Sequence, residues 1–315
     1  SLSLGFDLKF RVRGFPNEQI PTDVVSNGAY FDRRWMPFVG YQPMFELGGV
    51  EARERFGLQP RPLQPGPREA VDLSRRWPYR DANLVQQRTI VGTTAEQTAI
   101  AIGMLRRSWT ENGRRYFEYE TEEPTAFGAT VFSGEYALME DRWKDVALSI
   151  HYHQDHQYNL ERMIRGMKAA LEYLSVQFGA YPDSQLRIVE IPRYGGFGRA
   201  HPHTIAFTED AFISRVTADT LDMPFYGTAH EVAHTWCGGM VRGAAGVKGG
   251  AILSESCANY AAMMVTESTY GVEEARRVYD FQMDRYLRQR AAMGRDVPLL
   301  EVENLRTHFR TPDGV

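Results

Sequence analysis

Apolar and polar side chains alternate over several short segments in the first half of the chain. Over residues 4–12 the apolar side chains stand at every second position, which is the pattern of a strand with one buried face. Further strands are predicted at residues 88–92, 97–103, 114–121, 125–132 and 145–153, with turn residues between several of them. This succession predicts a β-rich N-terminal domain over residues 1–154, built as a sandwich-like or saddle-like sheet.

One stretch of this half departs from the alternation. Residues 48–80 are rich in Pro, Arg and Gln, a composition that is typical of a long solvated loop. We therefore expect a loop or lid there.

The period changes near residue 155. Residues 158–178 predict an amphipathic helix of about six turns. Its apolar face consists of Leu160, Met163, Ile164, Met167, Leu171, Leu174 and Phe178. Strands are predicted at residues 185–191 and 204–207, and at least three helical segments follow from Tyr226 onward. The second domain, residues 155–315, is therefore predicted to be α+β, and the whole chain to be an α+β protein of several domains.

Composition and charge narrow the class of protein. The 315 residues are 43% hydrophobic and 24% charged, with a net charge of −4, which is ordinary for a soluble globular domain and favours neither disorder nor nucleic-acid binding. No stretch approaches the roughly 18 apolar residues of a membrane-spanning helix. The chain begins with Ser1 inside an alternating run, which we interpret as a domain cut from a longer polypeptide. The sequence does not indicate in which cellular compartment the domain resides.

The strongest chemical signal is the sequence HEVAH at residues 230–234. In a helix, His230 and His234 lie one turn apart on the same face, where both imidazoles can bind one Zn²⁺. Glu231 follows the first histidine, where its carboxylate can reach the attacking water without being a ligand. With eight histidines in 315 residues, chance gives on the order of 0.01 such matches.

A third metal ligand is expected because a catalytic zinc usually has three protein ligands and one open position. Glu255 begins another helical run, 21 positions after His234, and the intervening segment is rich in glycine. The predicted centre is therefore His230, His234 and Glu255 around one catalytic Zn²⁺, with Glu231 as the general base.

Two further clusters allow a structural and a functional interpretation. His151, His153 and His156 could hold a second metal, but we expect solvated side chains. Cys237 and Cys257 flank the segments that bear the metal ligands; small buried thiols are expected, with a disulfide as the alternative.

The segments AHEVAHTWCGG and LSESCANYAAMMVTE resemble the gluzincin metallopeptidases of the aminopeptidase N family, and Trp236 fills the place of a tryptophan in that pattern. Upstream, LEYLSVQFGAYPDSQLRIVEIPRY is similar to the opening of the family's thermolysin-like catalytic domain. The resemblance is closest to bacterial members fused to, or encoded with, ABC-type permeases. It implies a saddle domain, a zinc peptidase domain and a missing C-terminal helical domain.

Carried over by position, the resemblance assigns His230, His234 and Glu255 to zinc and Glu231 to water activation. It also marks departures. The glutamate that binds the substrate amine in the family is replaced by residues 199–203, with Glu209 as a possible substitute, and the oxyanion-binding tyrosine falls near Phe309. The last 18 or so residues resemble the start of a peptide ABC transporter ATPase.

These observations favour a zinc-dependent metallopeptidase that hydrolyses peptides, with aminopeptidase action as the default implied by the resemblance. The alternative is a catalytically impaired zinc-binding domain that binds or senses peptides beside a membrane transporter. A metal-free structural module is the third hypothesis. The expected partners are a peptide substrate and a permease in the same polypeptide or operon, without nucleic acid.

Overall fold

The computed structural model describes residues 5–9, 23–25, 28–32, 35–36, 47, 50–60, 65–69, 84–126, 128–192, 198–243, 247–293 and 298–301. Within these ranges the chain is α+β, with several sheets and several helices. None of the helices described there has the length and apolar character needed to cross a membrane.

Short sheets fill the first part of the chain. One sheet has the order β1-β2-β9-β5 and a second has the order β4-β7-β6. A third pairs β3 with β8. The strands are β1 (Val24–Val25), β2 (Gly28–Phe31), β3 (Leu84–Val85), β4 (Arg88–Thr94), β5 (Thr98–Ala101), β6 (Met104–Glu111), β7 (Arg114–Glu120), β8 (Thr125–Ala126) and β9 (Val131–Gly134).

The described residues differ from two expectations for this part. Of the strand expected over residues 4–12, residues 5–9 form no strand, and residues 4 and 10–12 lie outside the described residues. Phe6 and Leu8 are 50% and 60% exposed, so the face that the alternation marks as apolar is not buried there. The segment expected to be a loop contains helix α1 (Val50–Arg55). The buried Arg53 stabilises its end by donating hydrogen bonds to the carbonyls of Leu47 and Gln59.

The central element is a five-stranded mixed sheet in the order β10-β11-β12-β14-β13. Its strands are β10 (Tyr136–Trp143), β11 (Val146–His153), β12 (Gln185–Ile191), β13 (Gly198–His201) and β14 (Thr204–Thr208). Strands β11, β12 and β14 are parallel, whereas β13 runs antiparallel at one edge. Strands from both sides of residue 154 share this sheet, so the proposed division into two domains stays a prediction.

The sheet is covered on both faces. On β12, Leu186 and Ile188 belong to the core formed with the helices, and Val189 and Ile191 belong to the core formed with the N-terminal strands. This alternation explains why β12 is a continuous buried run. Arg187, also buried, donates hydrogen bonds to the carbonyls of Ala101 and Gly103 and so ties the sheet to the N-terminal layer.

The helices form the other layer. They are α2 (Leu160–Phe178), α3 (Glu209–Ile213), α4 (Met223–Ala233), α5 (Glu255–Tyr270) and α6 (Val272–Met293). Short 3-10 helices cover Gly250–Leu253 and Leu299–Glu301. The predicted apolar face of α2 is buried up to Leu174, but Phe178 at the helix end is 49% exposed.

Candidate metal centre

Helix α4 carries the HEVAH sequence, and its start is fixed by a side-chain cap. The Asp222 carboxylate accepts a hydrogen bond from the Phe225 backbone N–H and another from Arg162, which satisfies a free donor of the first turn. Pro224 stands in that turn, where a missing N–H costs nothing. The first turn of the helix is therefore fixed, and His230 and His234 lie at the C-terminal end of the same helix.

The second histidine lies at the very end of α4, because the helix ends at Ala233 and His234 is its C-cap. The following turn is anchored by Trp236, which is buried and donates its indole N–H to the Gly179 carbonyl. The family-like tryptophan thus fixes the chain directly after the two histidines.

Glu255 is the first residue of α5. One turn further along this helix, Asn259 accepts a hydrogen bond from the Tyr226 hydroxyl of α4 at 2.9 Å. Packing of α5 against α4 therefore brings a carboxylate that is 21 positions away in sequence to the imidazole pair.

Three donor atoms meet there in a nearly equilateral triangle. The two Nε2 atoms of His230 and His234 are 3.2 Å apart, and Glu255 Oε2 lies 3.5 Å and 3.3 Å from them. Ligands at 2.0–2.1 Å from a tetrahedral zinc are separated by about 3.3 Å. Within the described residues, this is the one group of three His, Cys, Asp or Glu ligands that converge in this way.

The protonation pattern also fits a cation. His234 Nδ1 lies 3.0 Å from the Cys237 carbonyl, and since a carbonyl only accepts, Nδ1 carries a proton and Nε2 is the nitrogen that can bind a metal. Glu255 Oε2 is buried and makes no hydrogen bond among the described groups. Two imidazole Nε2 atoms and a carboxylate oxygen converge at the spacing of zinc ligands, so these residues fit Zn²⁺.

The electrostatics agree with that requirement. Burial by itself raises the pKa of Glu255, but the adjacent imidazoles of His230 and His234 outweigh burial and lower the pKa to about 2. Burial lowers the pKa of His234, but the carboxylates of Glu255 and Glu231 raise this pKa by more than burial lowers it, to about 9. The site thus attracts a positive charge.

Glu231 lies on the sheet side of α4 and is 8% exposed. Burial raises the pKa of its carboxyl, and the neighbouring imidazoles oppose this effect. The backbone N–H of Ala200 on β13 donates a hydrogen bond to the carboxylate. A carboxylate held in this way is a suitable proton acceptor.

The structure adds a residue that the sequence interpretation missed. Gly198 on β13 lies so close to Glu231 that a Cβ atom there would be 2.4 Å from Glu231 Oε1. The signal was present as glycine in the segment GGFGRAH, but no pattern in the sequence pairs that segment with α4.

The expectation of two free thiols is wrong. Cys237 and Cys257 form a disulfide with a Cα–Cα distance of 5.6 Å. The packing of α5 against the end of α4 brings them together, which sequence spacing alone does not indicate.

The histidine cluster does not form a second metal site. His156 Nδ1 bonds Glu190, and His151 packs edge-on against Tyr136. Since the three imidazoles have different surroundings, the hypothesis of a second metal is not supported.

The residues linked to substrate binding have separate positions. Arg199 lies on β13 with its guanidinium 3.7 Å from the buried Asp32. Glu209 begins α3, where its negative charge contributes to raising the pKa of Glu190. Phe309 and the segment similar to a transporter ATPase from residue 302 onward lie outside the described residues.

Solved structures with a similar fold were found, although no family model and no curated protein matches the chain. The M1 zinc metallopeptidase from Deinococcus radiodurans aligns with a TM-score of 0.53 at 17% identity, over 72% of this chain and 49% of that one. A mutant of the same enzyme aligns with a TM-score of 0.53 at 16% identity, over 73% and 51%.

The aminopeptidase A of Legionella pneumophila, solved with aspartic acid, has a TM-score of 0.52 at 15% identity, over 61% of this chain and 24% of that one. The chain thus spans at most about half the length of these enzymes. It has a metallopeptidase-like fold, which is what a likeness at this identity supports.

Proposed function

We propose that this chain is the metal-binding part of a zinc peptidase that cleaves peptides by an aminopeptidase-type hydrolysis. The observation that carries the proposal is the triangle of 3.2–3.5 Å formed by His230, His234 and Glu255, with the buried Glu231 beside it. A purely structural zinc site has four protein ligands, whereas this group offers three and a general base.

The chain's residues divide the work as follows. His230, His234 and Glu255 hold the metal, which when bound polarises the peptide carbonyl and eases deprotonation of water at neutral pH. Glu231 accepts a proton from the attacking water at its carboxylate and passes it to the leaving amine. The Ala200 N–H keeps that carboxylate oriented.

Strand β13 supports a peptide as the substrate class. It is the last strand of its sheet in the described part of the chain, and Gly198 and Ala200 on it contact Glu231. An extended peptide can add to such an edge through main-chain hydrogen bonds, which would place a backbone carbonyl beside the catalytic groups.

The preference for the amino terminus rests on the resemblance and on the names of the structural neighbours. By the resemblance, residues 199–203 stand at the place of the family's amine-binding glutamate, and among them the Arg199 cation lies beside Asp32 on β13. This cation favours the second candidate, a zinc-binding domain that binds or senses peptides without cleaving them. A membrane permease as its partner is a hypothesis that rests on the sequence resemblance.

The test compares wild type with Glu231→Gln, using a panel of aminoacyl anilides and internal peptide substrates, with zinc quantified in each sample. Glu267→Gln is the matched control, because Glu267 is exposed on α5 away from the triangle. Peptidase action predicts that turnover is lost only in Glu231→Gln, at unchanged zinc. Stoichiometric zinc without cleavage of any substrate would favour the binding candidate, and absence of zinc would refute both.

A further inference from the structure

The candidate metal centre lies where the C-terminal end of α4 meets the N-terminal end of α5. His234 is the C-cap of α4 and Glu255 is the first residue of α5. Ser254, at the N-cap of α5, makes no side-chain capping bond. Helix ends open locally at a lower free energy than helix centres, so the geometry of the triangle needs a restraint beyond the two helices.

The two ends differ in how firmly they are held. On the α4 side, Trp236 bonds Gly179, and the Cys237 N–H bonds the Ala233 carbonyl at 2.8 Å. Cys237 is 1% exposed. On the α5 side, Cys257 is half-buried, and the segment that leads to it is rich in glycine. The C-terminal end of α4 is therefore held by its own hydrogen bonds, whereas the N-terminal end of α5 depends on its attachment to α4.

The disulfide joins these ends directly. Cys237 is three residues after His234 and Cys257 is two residues after Glu255. The segments also touch beside the bond, because a Cβ atom at Gly238 would lie 2.6 Å from Ser254 Oγ. The carbonyl of Cys237 accepts the hydrogen bond from His234. Cys237 thus orients one metal ligand through its backbone, and through its sulfur it is bonded to the segment that bears the other ligand, Glu255.

We propose that the Cys237–Cys257 disulfide is a positioning element of the metal centre, which holds Glu255 at the distance from the imidazole pair that Zn²⁺ requires. The inference rests on the proposed zinc site and is independent of whether the chain cleaves peptides. Its consequence is a zinc affinity that depends on the redox state. A dithiol breaks the S–S bond by giving two electrons and two protons to the sulfurs, and closes to its own disulfide.

The helix packing should survive loss of the bond. Ala258, Ala261, Ala262 and Val265 of α5 remain buried against α4 and α2, and the Tyr226–Asn259 hydrogen bond lies two residues beyond the disulfide. We therefore expect a folded protein with a looser metal site.

The experiment measures zinc affinity of the full chain by competition with a chelating dye at 25 °C and pH 7.5, with Zn²⁺ as the probe. The variants are wild type, Cys237→Ala with Cys257→Ala, Glu255→Gln, and the triple combination. Loss of an outer-shell restraint weakens metal binding about 10- to 100-fold, and we expect that loss in the double variant. Circular dichroism of the metal-free proteins checks that each is folded.

The double-mutant cycle separates positioning from general stabilisation. If the disulfide acts through Glu255, its removal should change affinity less than about twofold once Glu255 is already Gln. An equal loss in both backgrounds, or an unchanged affinity in the double variant, overturns the inference. If the double variant does not fold, wild type reduced by a dithiol and then alkylated replaces it, with the same expected loss. Wild type that binds no zinc refutes the metal site itself, which is a different outcome.

Discussion

Replacement of Gly198 by Ala tests whether the position of Glu231 is critical. The added Cβ would lie 2.4 Å from Glu231 Oε1 and 2.8 Å from a ring carbon of Phe207. Ordinary van der Waals contact begins at 3.4 Å, so the carboxylate must move by about 1 Å. The end of a glutamate side chain can do this without unfolding the protein, and we expect the damage to fall on the reaction.

The size of the effect follows from that displacement. A shift of about 1 Å in a catalytic group costs about 100-fold in rate, or about 2.7 kcal/mol in the barrier. We expect kcat/KM for the best substrate of the panel to fall by this factor, with zinc stoichiometry unchanged, because none of the three ligands is displaced.

The matched control is Gly227→Ala. Gly227 lies on α4 and its added Cβ would meet the same Phe207 ring at an unstrained 3.9 Å. Alanine favours the helix by up to about 1 kcal/mol over glycine, so this variant should be as active and slightly more stable. A Gly198→Ala protein with wild-type kcat/KM and full zinc would refute the assigned role of Glu231.

Three further outcomes are expected. Gly238→Ala should lower both Tm and zinc affinity, because Gly238 has φ of +87° and the added Cβ would lie 2.6 Å from Ser254 Oγ. Gly271→Ala should lower Tm alone, because Gly271 has φ of +92° but an added Cβ there would meet open space. The pKa of Asp183 is raised to about 6, mainly by burial. This carboxyl therefore stabilises the fold below pH 4 and loses that contribution as pH rises through 6. Asp183→Asn should raise the free energy of unfolding at pH 7.5 by up to about 3 kcal/mol, seen as a higher Tm, and should leave Tm unchanged at pH 4. Arg187→Met should lower the free energy of unfolding, measured with urea, by about 3 kcal/mol, because the Thr204 hydroxyl and the Ala101 and Gly103 carbonyls each lose a hydrogen bond and only the Gly103 carbonyl keeps another donor, Gln185. An unchanged midpoint would contradict the role of Arg187 between the layers.

Local periodicity predicted much of the fold. The strand at β12 and the helix at α2 follow from patterns that involve neighbours a few residues apart, and such patterns are decided by which face is buried. The edge strand β13 and the helix α1 were missed, since neither has a distinctive period. The exposed Phe6 and Leu8 show that an alternating pattern does not by itself bury one face of a segment.

Surface and core assignments show the same limit. Tyr260, Met263 and Met264 form an apolar stripe at helical spacing on α5, yet Tyr260 is 61% exposed, while the two methionines are half-buried. Helical spacing defines a stripe, but the width of the covered part depends on the neighbouring helices.

The imidazole pair and the adjacent carboxylate follow from the local sequence, because residues one helical turn apart share a face of the helix. The rest of the centre depends on tertiary packing: the approach of Glu255, the Gly198 contact, the hydrogen bond from Ala200 and the bond between Cys237 and Cys257. Each of these joins residues distant in sequence through the packing of α5 on α4 or of α4 on β13. Such distances are set by how whole elements fill the core, and this information is spread over many side chains and concentrated in no motif.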